Sequence, residues 1–238
     1  MKDREMATIA LAKMLNMDHI TNGTVRKIRK NNGITELGYV SENATQQFAE
    51  DGATIIRGDQ HGSSLREIGK HDKKMADKSA FDYMTGQTDR HVGNLFIKDG
   101  VNSKGLTQEM IGFDHGLSFG NDNYSLRNHT FYGHDTVTSR NNLIRSGSQQ
   151  NFTKDFKRAL EKVVQDAERP NGGQFGEMMT FLDQKIGTKE ADAFASRFSD
   201  VVEGILGNNA KGMRQVLSAT RERKTNERRE KLRKKMNV

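Results

Sequence analysis

Three side chains in the middle of the chain have the types and spacing for phosphoryl-transfer chemistry. Asp89 and Asn94 stand five residues apart in Thr88-Asp89-Arg90-His91-Val92-Gly93-Asn94, and Asp114 follows in Gly112-Phe113-Asp114-His115-Gly116. One carboxylate must receive a hydroxyl proton. An amide oxygen and a second carboxylate must hold Mg²⁺ against nucleotide phosphates. Mg²⁺ suits so sparse a set, because it retains waters and takes one or two protein oxygens besides phosphate.

Either half alone reads as turn and cap residues, since Asp and Asn are common in loops. The flanks supply an order. Phe81-Asp82-Tyr83-Met84 ends an apolar, helix-like run, Leu95-Phe96-Ile97 is a short strand signal, and Met110-Ile111-Gly112-Phe113 is another. Helix, polar loop, strand, loop, strand, acid-x-Gly is the order in which a kinase C-lobe builds its floor.

At these residues the chain resembles a family. Phe81 to Asn94 is similar to the catalytic loop of phosphatidylinositol 3-/4-kinase-related proteins, a superfamily that also contains actin-fragmin kinase and bacterial HipA-type kinases. These have Asp-Arg-His where conventional protein kinases have His-Arg-Asp. Ile111 to Phe119 resembles their metal-binding segment, with His115 where conventional kinases have Phe. The resemblance is specific over about residues 65–120, looser over 1–60, and absent after about 150. It implies Asp89 as catalytic acid/base, Asn94 and Asp114 as metal ligands, Arg90 and His91 as supports of the loop, and ATP with Mg²⁺ as cofactors.

The elements that must position these groups are read from periodicity. Residues 3–16 form a predicted helix with Met6, Ile9, Ala10, Lys13 and Met14 on one face and Asp3 as its cap. Glu5, in its first turn, has two readings. It is an acid favoured by the helix dipole. Alternatively, the resemblance of Arg4-Glu5-Met6-Ala7 makes it the glutamate that a kinase helix offers to the ATP-binding lysine, hence a cofactor-binding candidate. Residues 24–28 and 34–40 flank Asn32-Gly33 and predict a hairpin. In a kinase it would run into the hinge near residues 40–43. Residues 44–64 carry no clear element. Residues 65–83 predict the central C-lobe helix, with Leu65, Ile68, Met75, Ala76, Ala80 and Tyr83 as core.

Residues 120–150 are rich in Asn, Ser, Gly and His and read as a polar loop, despite His129, His134 and Asp135. Apolar stripes then mark further helices. One runs over Phe152, Phe156, Leu160, Val163 and Val164. Another, capped by Thr188, runs over Ala191, Phe194, Ala195, Phe198, Val201, Val202, Ile205 and Leu206. Gly172-Gly173-Gln174-Phe175-Gly176 lacks the preceding strand and following Lys-Ser/Thr of a phosphate loop, and reads as an ordinary loop.

The chain departs from the kinase pattern at one point. No Gly-rich hairpin or strand lysine stands ahead of Glu5, where Lys2 is the only lysine. Three readings follow: phosphates fall to Mg²⁺ and to basic residues such as Arg57, Lys70 or Lys73, or the kinase fold is degenerate and kept for binding or assembly, or the N-lobe lies on a partner chain. The expected fold is α+β and protein-kinase-like. It comprises a truncated N-lobe of helix plus hairpin (1–43), a mainly helical C-lobe (44–218) and a basic tail (219–238).

Composition sets the remaining bounds. A hydrophobic content of 33% that includes 12 Phe and 11 Met supports a modest core. The absence of Cys excludes disulfides and thiolate metal sites, and fits a cytoplasmic location. No eighteen-residue apolar run is present. Of the net charge of +7, residues 221–238 carry +6, from nine Lys/Arg against three Glu. That tail is either a solvated helix or a clamp for an anionic partner. The expected activity is transfer of the ATP γ-phosphoryl to a hydroxyl, on a protein in preference to a lipid. The alternative is an inactive kinase-like structural or interaction protein, such as a component of a bacterial or phage assembly and then virion-associated.

Overall fold

The computed structural model describes residues 2–18, 20–21, 23–29, 35–41, 43–48, 53–62, 68, 71–87, 92–102, 105–120 and 150–236. The fold is α+β and mostly helical. Helix α1 (Lys2–Met14) precedes the antiparallel hairpin β1 (Gly23–Arg29) and β2 (Thr35–Ser41), in which Arg29 pairs with Thr35. A short helix α2 (Ala44–Gln47) leads to β3 (Thr54–Arg57). Helix α3 (Met75–Thr85) and a 3₁₀ turn (Val92–Asn94) come before the hairpin β4 (Leu95–Asn102) and β5 (Gly105–Gly112). Strands β3, β4 and β5 form one antiparallel sheet in that order. The last third is helical: α4 (Lys154–Ala167), α5 (Gly173–Lys185), α6 (Thr188–Val202) with a π turn at Glu203–Gly207, and α7 (Met213–Met236). No helix among the described residues is long and apolar enough to cross a membrane.

One apolar cluster joins α1, α3 and the C-terminal helices. Leu11, Leu15, Phe81, Met84, Phe156, Leu160, Phe194, Val201 and Met213 are all buried in it. Each large apolar side chain withdrawn from water contributes roughly 1.5–3 kcal/mol, so this cluster fixes α1 against α5 and α3 against α6. The stripe expected from Ala191 to Ile205 faces this core, but Arg197 and Asp200 are buried beside it.

Five local expectations need correction. The buried residues of α1 are Glu5, Ala7, Thr8, Ile9, Leu11 and Ala12, while Ala10 and Lys13 are exposed and Met6 and Met14 half-buried. The helix is rolled so that Glu5 meets the His115 N–H, while the buried Thr8 hydroxyl bonds the Arg4 carbonyl of its own helix. Its Met6–Met14 flank instead lines a cavity of about 520 Å³ with Met178 and Phe181 of α5. Asp3 lies inside the first turn instead of capping it.

Of the helix expected over 65–83, Ile68 and His71 are helical, residues 72–74 interrupt it, and α3 runs from Met75 to Thr85. The Asp72 carboxylate accepts from the Lys74 N–H at 3.0 Å just before its start, and Gly86, at φ 61°, closes it. Ile68 is buried as expected, while Leu65 lies outside the described residues.

Thr188 is the first residue of α6, not its cap; Gly187 takes that place without a side-chain bond. The glycine run at 172–176 is also not a loop, because α5 starts at Gly173. Its amide end is served from a distance: the Asp166 carboxylate of α4 accepts from the Phe175 N–H at 3.3 Å. The local sequence therefore carries no cap signal there.

Candidate functional site

The β4–β5 register builds the site's centre. Leu95 pairs with Gly112, so the residue before β4 meets the residues after β5. The Phe113 N–H donates to the Asn94 carbonyl at 3.2 Å. Asn94 and Asp114, distant in sequence, are thereby neighbours along the backbone. Asn94 is buried and Asp114 is exposed. Asp114 holds φ 53°, a left-handed conformation that costs a non-glycine residue about 1–2 kcal/mol. It turns the chain sharply out of the strand, a kind of strain often met at functional sites.

Helix α3 supplies the next constraint. After its Gly86 cap, Gln87 is fully buried and its Nε2 donates to the Asp114 carbonyl at 3.3 Å. The distance between α3 and β5 is set by a buried ion pair. Lys78 Nζ lies 2.6 Å from Asp72 Oδ2 and donates to the Met110 carbonyl at 2.7 Å. Asp72 Oδ2 also accepts from the Met110 N–H at 2.9 Å. Charges this far from water are tolerated only when paired and hydrogen-bonded throughout, and here the pairing spans helix and strand.

Helix α1 closes the site from the other side. Glu5 Oε1 accepts from the His115 N–H at 2.5 Å. The Arg4 guanidinium donates to the carbonyls of Ser118 and Phe119. Just after the helix, the Thr21 N–H donates to the Gly112 carbonyl at 3.1 Å. The segment ends in the core. Phe119, at φ 57°, is buried edge-on to Phe194 at 5.3 Å, and its N–H donates to the Thr85 carbonyl. Arg197 of α6 donates to the carbonyls of Met84 at 3.0 Å and Gly120 at 3.3 Å. Residues 114–120 are thus held by α1, α3 and α6 together.

A cation stands at the rim. Arg57, at the end of β3, donates to the Gly93 carbonyl at 3.1 Å and lies 5.8 Å from the Phe113 ring centroid. Phe113 packs on Phe96 at 4.6 Å, and Asp59 accepts from two guanidinium nitrogens of Arg57. The Arg57 side chain is 47% exposed and keeps access to solvent.

Of the expected site residues, the structure gathers Glu5, Asn94 and Asp114 around 113–115. Asp89, Arg90 and His91 lie outside the described residues, as does Lys70. Lys73 is exposed ahead of α3. Glu5, expected to face a lysine, meets the His115 backbone. Sequence reasoning missed Arg4, Gln87 and Arg197 as fasteners of the 114–120 segment. Only Arg197 left a signal, a charge set at helical spacing among Phe194, Phe198 and Val201.

Asn94 and Asp114 offer an amide and a carboxylate oxygen, hard donors of the type Mg²⁺ prefers. Among the described residues, no group of three His, Cys, Asp or Glu could hold a metal by itself. A cation here would complete its shell with phosphate and water. The sequence matches no protein-family model, and no curated protein matches it significantly.

Proposed function

We propose that this chain is a kinase-like phosphotransferase that moves the γ-phosphoryl group of ATP to a hydroxyl with Mg²⁺. The observation that carries this reading is the Phe113–Asn94 backbone bond, which sets Asn94 beside Asp114 at the mouth of one hairpin. Two residues with donors of the right chemistry are backbone neighbours there, on a segment secured by Glu5 and Gln87. In this reading residues 1–43, with α1, β1 and β2, are the N-lobe portion, residues 44–218 are the C-lobe and residues 219–238 are a basic tail.

Asn94 and Asp114 would hold the metal, and Arg57 would meet the nucleotide phosphates. Bound Mg²⁺ would neutralise charge on the transferring group. Asp89 would orient the acceptor hydroxyl and take its proton while the bond from the γ-phosphorus to the ADP oxygen breaks and the bond to the acceptor oxygen forms. The near-neutral body and polar 120–150 region favour a protein acceptor over a lipid.

Thermal melting with ATP and Mg²⁺ tests the reading. The wild-type protein should be stabilised only when both are present, and Asp114→Ala should abolish the shift. Asp89→Ala should keep the shift and lose phosphoryl transfer to a generic protein acceptor. No shift in the wild type would overturn the reading in favour of an inactive kinase-like structural or interaction protein.

A further inference from the structure

We propose that the projecting half of α7 is a docking element for duplex DNA, entering the major groove and holding phosphates on both walls. The first half of α7 belongs to the body, since Met213, Val216 and Thr220 are buried. The next turn is anchored by charge. Arg223 and Lys224 both pair with the buried Asp200 carboxylate, which also accepts from the Tyr83 hydroxyl at 2.8 Å. Beyond that turn, every described side chain from Thr225 to Lys234 is exposed, yet the helix runs on to Met236. At 1.5 Å per residue, about 18 Å of helix stands clear of the described body.

The charges on this length are ordered. At about 100° per residue, Arg228 and Lys231 continue the line of Lys224, and Lys235 takes the next place in that register. Arg229 and Arg233 form a second line, roughly 150° around the helix. Glu227 and Glu230 occupy a third side, where each is paired within the helix, to Arg223 at 3.3 Å and Lys234 at 3.4 Å. Among the described residues, Arg228, Arg229, Lys231 and Arg233 make no ion pair. The acids are internally neutralised and the two basic lines are not.

That distribution selects the partner. A helix fits the major groove of B-DNA, about 12 Å wide, and basic lines on its two flanks would meet both phosphate walls. Thr225 falls between the lines, toward the groove floor. A membrane surface would require a continuous apolar face, but Leu232 and Met236 are the only large apolar residues from 225 to 236. Docking into a protein groove needs apolar anchors over several successive turns, and Leu232 and Met236 supply a single such step near the end of the helix. No aromatic residue is present to stack on single-stranded bases. Duplex RNA has a major groove too deep and narrow for the helix. The element does not depend on the phosphotransferase reading.

Fluorescence anisotropy of the full chain with a mixed-sequence DNA duplex tests this. With about four phosphates neutralised, log Kd should rise with log salt at a slope of about 4, roughly a hundredfold loss of affinity from 50 to 200 mM. Arg228→Ala, Arg229→Ala, Lys231→Ala and Arg233→Ala combined should preserve helicity by circular dichroism, because alanine favours helix. They should weaken DNA binding by at least about 30-fold and flatten the slope. Wild-type binding no tighter than that variant's would overturn the proposal. So would equal affinity for duplex RNA, for phosphatidylserine vesicles or for polyglutamate under the same salt.

Discussion

The carboxylate of Glu5, in the first turn of α1, accepts the backbone N–H of His115 at 2.5 Å across 110 residues of chain. Both residues are buried. The bond fastens the amide that directly follows Asp114, so Glu5 governs the orientation of a candidate metal ligand without touching a metal itself.

Glu5→Ala should therefore cost about 1–3 kcal/mol, the usual penalty for leaving a buried donor unsatisfied. Glu5→Gln keeps an acceptor oxygen and should lose less than half as much. Urea denaturation of the three proteins measures this. Equal losses for the two variants would show that the hydrogen bond is not what the side chain contributes.

The Lys78–Asp72 pair should be strongly coupled. Lys78→Met strands a carboxylate that is 1% exposed and should destabilise by about 3–5 kcal/mol. Adding Asp72→Asn should restore part of that loss, since the uncompensated charge goes while the one carboxamide oxygen still accepts from either the Met110 or the Lys74 amide. Denaturation midpoints of single and double variants give the coupling. Simple additivity would contradict it.

Asp77 predicts a pH effect. Burial pushes its carboxyl up to about 6 from 3.8, opposed by hydrogen bonds from the Thr153 hydroxyl and N–H and by the Lys78 and Lys74 charges. Those bonds measure 2.6 and 3.0 Å and tie α3 to the start of α4. A carboxyl raised in the fold binds its proton more tightly folded than unfolded, so its contribution is complete below about pH 4 and lost as pH rises through about 6. The span is on the order of 3 kcal/mol. Asp77→Asn should remove this component, so its stability between pH 4 and 6 should gain a more positive slope with pH than the wild type shows. Identical slopes in chemical denaturation would refute the assignment.

Gly86 should resist substitution. It holds φ 61°, and an added Cβ would lie 2.7 Å from Arg197 Nη2. Gly86→Ala should cost more than the roughly 1–2 kcal/mol of a left-handed alanine, because it also displaces the guanidinium that ties Gly120. Gly62→Ala is the control: φ is 77° and nothing lies within 4 Å, so only the backbone cost applies. Thermal melting should rank Gly86→Ala well below Gly62→Ala.

Much of this was legible in the sequence because it is local. The hairpin 23–41 follows from two strand runs around the Asn32-Gly33 signal, and the strand signals at 95–97 and 110–113 are the paired ends of a second hairpin that suffices to bring Asn94 to Asp114. The helical stripe around Phe194 and Val201 gave its core face directly. The roll of α1 was not legible, because Glu5 is buried by its bond to the His115 N–H and not by hydrophobicity. Nor were Arg4 and Gln87, whose roles exist only after distant elements meet. The start of α5 was hidden for the same reason, its acceptor Asp166 belonging to the preceding helix.

The fastening of residues 114–120 also has a consequence in time. Its ties come from Arg4 at one end of the sequence and Arg197 near the other. During synthesis the Asn94–Asp114 hairpin emerges early, yet the final clasp at Gly120 must wait until α6 has left the ribosome. At about 5–20 residues per second, that interval is roughly 4–15 seconds. A nascent chain that stops short of α6 would display residues 114–120 without the tie that Arg197 makes to Gly120.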